Sequence, residues 1–390
     1  MLGARASFTT SATSARIRSV TSSRAFASPS RALLAMGRSK KERGKQRVAT
    51  KSATQASANP HDDDAPELPD YDIVTMGPLD VSAVALSVKG WTGGSDDANA
   101  YVAAIDRGYL LIGAASPEEL RLAKEYEGYW SVSEAAELPG VRAPMTYAIV
   151  DVDDASGGGG TVKDILQAHT IAAGGCEPDV FCLRADPGED GENVARLAEG
   201  IVAAWELGAC GNVIAVDGFN GDAVGKLVDA LKDTPEIKVA FNRVAFSLAD
   251  RSALENGDVD ACKSRGVGVL AVDPLGEGSR VTNVTHAECD QAQCRLLAFL
   301  GSMVGGGVQK SPTQVGVNYV VSKGIVPEIE TRYGSVAWEC GGAMLWRLDE
   351  NALGILDERA DAVAAGESGV DAETAEAAEE LRGEVEGGKP

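Results

Sequence analysis

The chain has 390 residues, with 44% hydrophobic and 24% charged residues. That composition excludes a collagen, a coiled coil and a wholly disordered chain, and no apolar run approaches the ~18 residues of a membrane-spanning helix. The net charge of −22 is unevenly spread: residues 1–55 hold twelve Lys and Arg against one acid, Glu42, so a local +11 leaves −33 for the remainder. A body that acidic repels phosphate backbones, so neither nucleic acid nor membrane is an expected partner.

The basic head, residues 1–50, is rich in Arg, Ser, Ala and Thr and carries no acid before Glu42. This is the composition of an organelle transit peptide. Its Ser and Thr content favours the chloroplast over the mitochondrion. Residues 51–70, containing NPHDDDAPELPD, read as a solvated linker.

From Tyr71 onward, short apolar runs alternate with helical patterns. VSAVALSVK (81–89) predicts the first strand, and 96–108 a helix stopped by Gly108. Strand 109–115 precedes helix 116–126, which opens with Ser116 and Glu119 at capping-box spacing. Strand 147–153 is followed by an SGGGG loop and a helix beginning at Thr161. Strand–helix pairs then follow at 179–185 and 192–210, at 212–219 and 221–233, and at 239–248 and 255–266. Strand 267–275 leads to helical stretches at 295–304 and 311–324, and strand 324–330 to a helix over 334–347. Strands this apolar belong to a parallel sheet covered by helices. Eight strand–helix units predict an α/β fold, a closed (β/α)8 TIM barrel spanning 71–358. Residues 359–390 read as an acidic tail.

Several local signals carry little. SGGGGTVK (156–163) and GDAVGKL (221–227) lack the order of a phosphate loop. CDQAQC (289–294) has only His286 nearby, so it reads as a surface loop and no metal is expected. The seven cysteines include no CxxC and imply no disulfide scaffold.

Three stretches carry a resemblance: FNRVAFSLADRSALENGDVDACKSRGVGVLAVDPLGEG (241–278), SPTQVGVNYVVSKGIVP (311–327) and ECGGAMLWRLDENALGILDE (339–358). In order and spacing they resemble the aldo-keto reductases, most closely the plastid members of plants and algae. A weaker likeness covers 73–115. The resemblance implies the aldo-keto reductase type of barrel, with NADPH across its C-terminal mouth and hydride transfer to a carbonyl without a metal. It further implies an Asp, a Tyr, a Lys and a His acting together, since the reaction needs a positioned acid tuned by charged neighbours.

The matching positions hold other residues. Gly113 stands for the Asp, Glu118 for the Tyr, Asp151 (or Asp153) for the Lys and Arg184 for the His. The cofactor positions also differ. Asp217-Gly218 replaces the carboxamide grip, Arg243 follows Asn242, Val272 replaces the stacking Tyr, and Asp273 precedes the kept Pro274 and Leu275. Arg332 falls where a base meets the 2′-phosphate, and Glu339 keeps the adenine-end acid, flanked by Trp338 and Cys340. Arg184 and Arg243 are placed to neutralise Asp217 and Asp273 in an ion-pair network at the mouth. Carbonyl reduction is therefore expected to be weak or absent, leaving a mouth that binds a small molecule or a protein partner. The alternative is an active NADPH-dependent reductase with a displaced donor: Glu118 if buried, or a tyrosine among Tyr109, Tyr126, Tyr129 and Tyr147 beside Lys89.

Overall fold

A computed structural model describes residues 72–132, 142–152, 161–188, 191–276, 292–303, 309–365, 367 and 370. Residues 1–50, expected to be a transit segment, residues 51–70, expected to be a linker, the SGGGG loop, Asp153, residues 289–291 of the CDQAQC stretch and residues from 371 on lie outside the described residues.

The chain opens with a hairpin, β1 (Ile73–Met76) and β2 (Leu79–Ser82), and then enters the barrel. Its strands are β3 (Ala85–Ser87), β4 (Leu111–Ala114), β5 (Met145–Asp151), β6 (Val180–Arg184), β7 (Val213–Asp217), β8 (Lys238–Ala245), β9 (Gly268–Val272) and β10 (Val326–Glu330). They close in the order β10-β3-β4-β5-β6-β7-β8-β9, all parallel. This is the eight-stranded barrel expected from the alternation of apolar runs.

The outer helices are α1 (Ser95–Asp106), α2 (Pro117–Ser131), α3 (Val162–Ala172), α4 (Glu192–Glu206), α5 (Gly221–Ala230), α6 (Ser252–Glu255), α7 (Asp258–Ser264), α8 (Ala292–Met303), α9 (Pro312–Ser322), α10 (Gly334–Gly341) and α11 (Glu350–Ala364). Their starts follow from local chemistry. The hydroxyls of Ser116, Thr161 and Ser311 accept from the backbone N–H three residues on, and Pro117 and Pro312 occupy first-turn positions where no N–H is needed. No helix among the described residues is long and apolar enough to cross a membrane.

Two apolar layers hold the architecture. The barrel interior is filled by Leu111, Tyr147, Ile149, Cys182, Phe241 and Leu270 among others. The strands' outer faces pack under the helices in two larger clusters.

Several boundaries depart from the sequence reading, among them the helix expected over 334–347, which ends at Gly341, and three have a clear physical reason. The stretch 81–89 is not one strand, because Ser82 turns the chain: its hydroxyl donates to the Val84 carbonyl at 2.6 Å and accepts from Leu110 N at 2.8 Å. The helix expected over 255–266 is broken at Gly257, whose φ of +81° no helix accommodates. The last helix runs through residue 358 to Ala364, because Ala360 and Val363 are buried and Arg251 binds Asp361 at 2.8 Å.

The hairpin plugs the end of the barrel opposite the mouth. Met76 and Val81 join the interior cluster, and a Cβ at Gly268 would stand 2.6 Å from the Met76 side chain. At the hairpin turn Gly77 has φ +57°, and a Cβ there would meet Ala240 Cα at 2.8 Å. Strain and overlap therefore act together, and Gly77→Ala is expected to cost about 1–3 kcal/mol in a urea unfolding experiment.

Candidate functional site

The mouth of the barrel is built from the C-terminal ends of the strands. Adjacent strands β5 to β8 place Asp151, Arg184, Asp217 and Arg243 in one register row. Their charges alternate along it. Arg184 donates from Nε and Nη2 to Asp217 Oδ2 at 2.8 and 2.6 Å. Arg243 Nη1 donates to Asp217 Oδ1 at 3.2 Å. From there the chain of charges crosses the interior: Arg243 Nε donates to Glu328 Oε2 on β10 at 2.6 Å. Asp217, Arg243 and Glu328 are buried, whereas the Arg184 side chain is half exposed. Burial works against the charge on Arg243, but Glu328 and Asp217 outweigh it and hold its pKa above the usual arginine range.

Of the two acids expected to meet the arginines, Asp217 does so and Asp273 does not. Asp273 lies exposed beyond β9 with φ +49°, and its charge acts on Lys89 instead. Glu328 takes its place. It belongs to β10, where Val326, Glu328 and Glu330 share one strand face, and only Glu330 is exposed there. A charge at a buried alternate position of an otherwise apolar strand was the available signal.

Gly113 lies one residue before the end of β4, inside the barrel, and the Tyr147 ring fills the space beside it: a Cβ at Gly113 would stand 2.3 Å from Tyr147 Oη. Tyr147 is wholly buried. Burial first, then the Glu328 carboxylate, push its phenol well above the ordinary tyrosine range, against the pull of Arg243. Tyr109 and Tyr126 are also buried; Tyr109 donates to the Ala337 carbonyl and Tyr126 packs on Trp91 and Tyr101. Lys89 pairs with Glu330 at 2.9 Å on the rim.

Glu118 is not at the mouth. It is exposed on the first turn of α2, where its charge acts on His169 of α3. Helical phase decides this: the next residue, Glu119, is the one turned inward, accepting from Gly90 N at 2.7 Å and Ala115 N at 2.8 Å. It ties the loops after β3 and β4 together.

Leu275 packs against the apolar cluster and against Gly316 of α9. Glu339 lies on α10, where its carbonyl accepts from Gln314 Nε2 at 3.3 Å. Arg332 is held by Asp97 at 2.8 Å and by Thr92 Oγ1 at 3.0 Å. Asp97 has no exposed surface and also accepts from the N–H groups of Thr92, Gly93 and Gly94. Burial opposes its charge, but Arg332 and these amides prevail and hold its carboxyl below the usual aspartate range. Among the described residues no group of three or more His, Cys, Asp or Glu could hold a metal.

Among solved structures the chain is similar to an aldo-keto reductase of the silkworm Bombyx mori, at TM-score 0.56 and 18% identity, covering 78% of this chain and 90% of that one. It is similar to an aldo-keto reductase of Klebsiella pneumoniae in complex with NADPH, at TM-score 0.55 and 16% identity over 75% and 95% of the two chains. The aldose reductase of Schistosoma japonicum aligns at TM-score 0.54 and 12% identity over 72% and 89%. The fold is therefore the (β/α)8 barrel of the aldo-keto reductases. No family model matches the sequence, and no curated protein matches it.

Two outcomes follow from the site. Arg243→Met leaves two buried carboxylates without their shared cation, so about 3–5 kcal/mol of stability is expected to be lost, whereas the exposed pair broken by Lys89→Met is worth at most about 1 kcal/mol; urea titration separates them. Because the Asp97 pKa is lower folded than unfolded, its contribution is complete above the unfolded value near 4 and disappears as pH falls through the folded one. Asp97→Asn is therefore expected to flatten the acid limb of the stability–pH curve.

Proposed function

We propose that this chain is an aldo-keto-reductase-like barrel that has exchanged NADP-dependent carbonyl reduction for binding at its mouth. The observation that carries the reading is the Arg184–Asp217–Arg243–Glu328 chain of charges. It occupies the strand ends where the resemblance places the carboxamide grip and the substrate-orienting base.

The residues present do not fit the dinucleotide. Asp217 adds a carboxylate already shared between two arginines. Val272 has no aromatic face to stack a nicotinamide. Arg332, the expected partner of the 2′-phosphate, has its charge answered by Asp97. Around the mouth five carboxylates (Asp151, Asp217, Asp273, Glu328 and Glu330) face three cations (Lys89, Arg184 and Arg243). That balance disfavours a polyanionic cofactor and suits a neutral or cationic small molecule, or a basic segment of a protein partner.

Reduction of a carbonyl also needs an acid that can reach the developing alkoxide. Tyr147, the tyrosine inside the barrel, is sealed from solvent and its phenol is made less acidic. Glu118 faces α3. Lys89 is engaged by Glu330 on the rim. None of the three is a displaced donor.

Calorimetric titration of the purified chain with NADPH is expected to show no saturable binding in the micromolar range, and a panel of aldehydes with NADPH no consumption of reduced cofactor. Turnover at an ordinary enzymatic rate would overturn the proposal and restore the reductase reading. We assign residues 1–50 to organelle import, in the first place to the chloroplast. Fusion of this segment to a fluorescent protein is expected to label plastids; labelling of mitochondria alone would select the other organelle.

A further inference from the structure

Beneath the row of charges two buried polar atoms stand without hydrogen-bond partners: Tyr147 Oη and Glu328 Oε1. Glu328 is 4% exposed and its other oxygen takes Arg243. The Glu328 carboxylate is the strongest charge acting on the phenol. One atom is a donor, the other an acceptor, and each is costly to bury alone.

The phenol reaches this place through Gly113. A Cβ there would stand 2.3 Å from both Cζ and Oη of Tyr147 and 2.6 Å from Cε1. The backbone of Gly113 is not in the left-handed region, unlike that of many other glycines in the chain. Its dihedral angles do not call for glycine; the space does. The two residues are register partners on neighbouring strands, so the overlap cannot be relieved by moving one loop.

We propose that Tyr147 is a positioning residue whose phenol donates to Glu328 Oε1, and that Gly113 and Tyr147 form a coupled lock. Glycine at 113 admits the ring; the ring fixes Glu328; Glu328 in turn fixes Arg243 and, through Asp217, the half-exposed Arg184 that faces the mouth. A side chain at 113 and the tyrosine at 147 exclude each other. The lock rests on packing and stands whether or not the barrel turns over aldehydes.

The first test is a size exchange read by urea unfolding of the full chain. Gly113→Ala is expected to lower the folding equilibrium constant by roughly tenfold or more. Combined with Tyr147→Phe the loss persists, because Cζ and Cε1 remain. Combined with Tyr147→Leu, Gly113→Ala becomes several-fold less damaging than in the natural background. Equal damage in all three backgrounds overturns the coupling.

The second test reads the hydrogen bond itself and does not need the alanine variant to fold. Infrared difference spectra of the natural chain against Tyr147→Phe isolate the phenol C–O–H vibration of Tyr147. Glu328→Gln is expected to shift that band toward a weaker acceptor. A band unmoved by Glu328→Gln shows that the phenol donates elsewhere and removes the positioning role.

Discussion

The mouth of this barrel depends on alternation of charge across four neighbouring parallel strands. Asp151, Arg184 and Asp217 come to one level because β5 to β7 pair in a continuous register, and a register shift between Ile214 and Val216 brings Arg243 of β8 opposite Asp217. Opposite charges on adjacent strands attract, and like charges in the same places would repel. Inside a closed barrel the stakes are higher than on a sheet surface. Arg243 and Glu328 are nearly dry, so each requires an opposite charge at hydrogen-bonding distance. The chain from Arg184 to Glu328 supplies two cations and two carboxylates and is neutral in itself.

An interior neutralised in this way has little charge left to offer a ligand. In sites that bind a charged molecule, protein groups are left incompletely answered until it arrives. Here Asp217 accepts from two arginines, Glu330 holds Lys89, and Asp97 holds Arg332. The same architecture in the Klebsiella pneumoniae protein accompanies NADPH. A shared barrel does not by itself transfer a chemistry, because function resides in the side chains at the strand ends and not in the strands' order.

The loops around the mouth are held by carboxylates as well. Glu119 bridges the segments after β3 and β4, and Asp97 gathers three backbone amides together with Arg332. Each accepts hydrogen bonds from backbone groups that a loop would otherwise leave unsatisfied. These two carboxylates at the mouth are thus structural. At the other end the β1–β2 hairpin closes the barrel, with Met76 against Gly268, the Gly77 turn against Ala240 and the Ser82 hydroxyl accepting from Leu110 N.

Much of the fold was legible along the chain. Apolar runs of strand length alternated with helical patterns, and Ser116 with Glu119 marked a helix start; the structure shows Thr161 and Ser311 capping their helices in the same way. Arg184, Asp217 and Arg243 were legible as site residues because each interrupts or ends an apolar strand. Apart from the local break at Gly257, the main departures involve partners remote in sequence or a helical phase. Ser82 bends the chain by bonding across to Leu110; Glu118 and Glu119 differ by one step of helix rotation; Arg332 meets Asp97 across 235 positions.

The residues by themselves determined an eight-unit parallel barrel with arginines and aspartates at its strand ends, because periodicity and capping act over a few neighbouring positions. Only the tertiary structure decided that Glu328, not Asp273, completes the row of charges, and that Tyr147 fills the space left by Gly113. Which side chains meet inside a barrel is set by the register and closure of the whole sheet, and no stretch of a single strand contains that information.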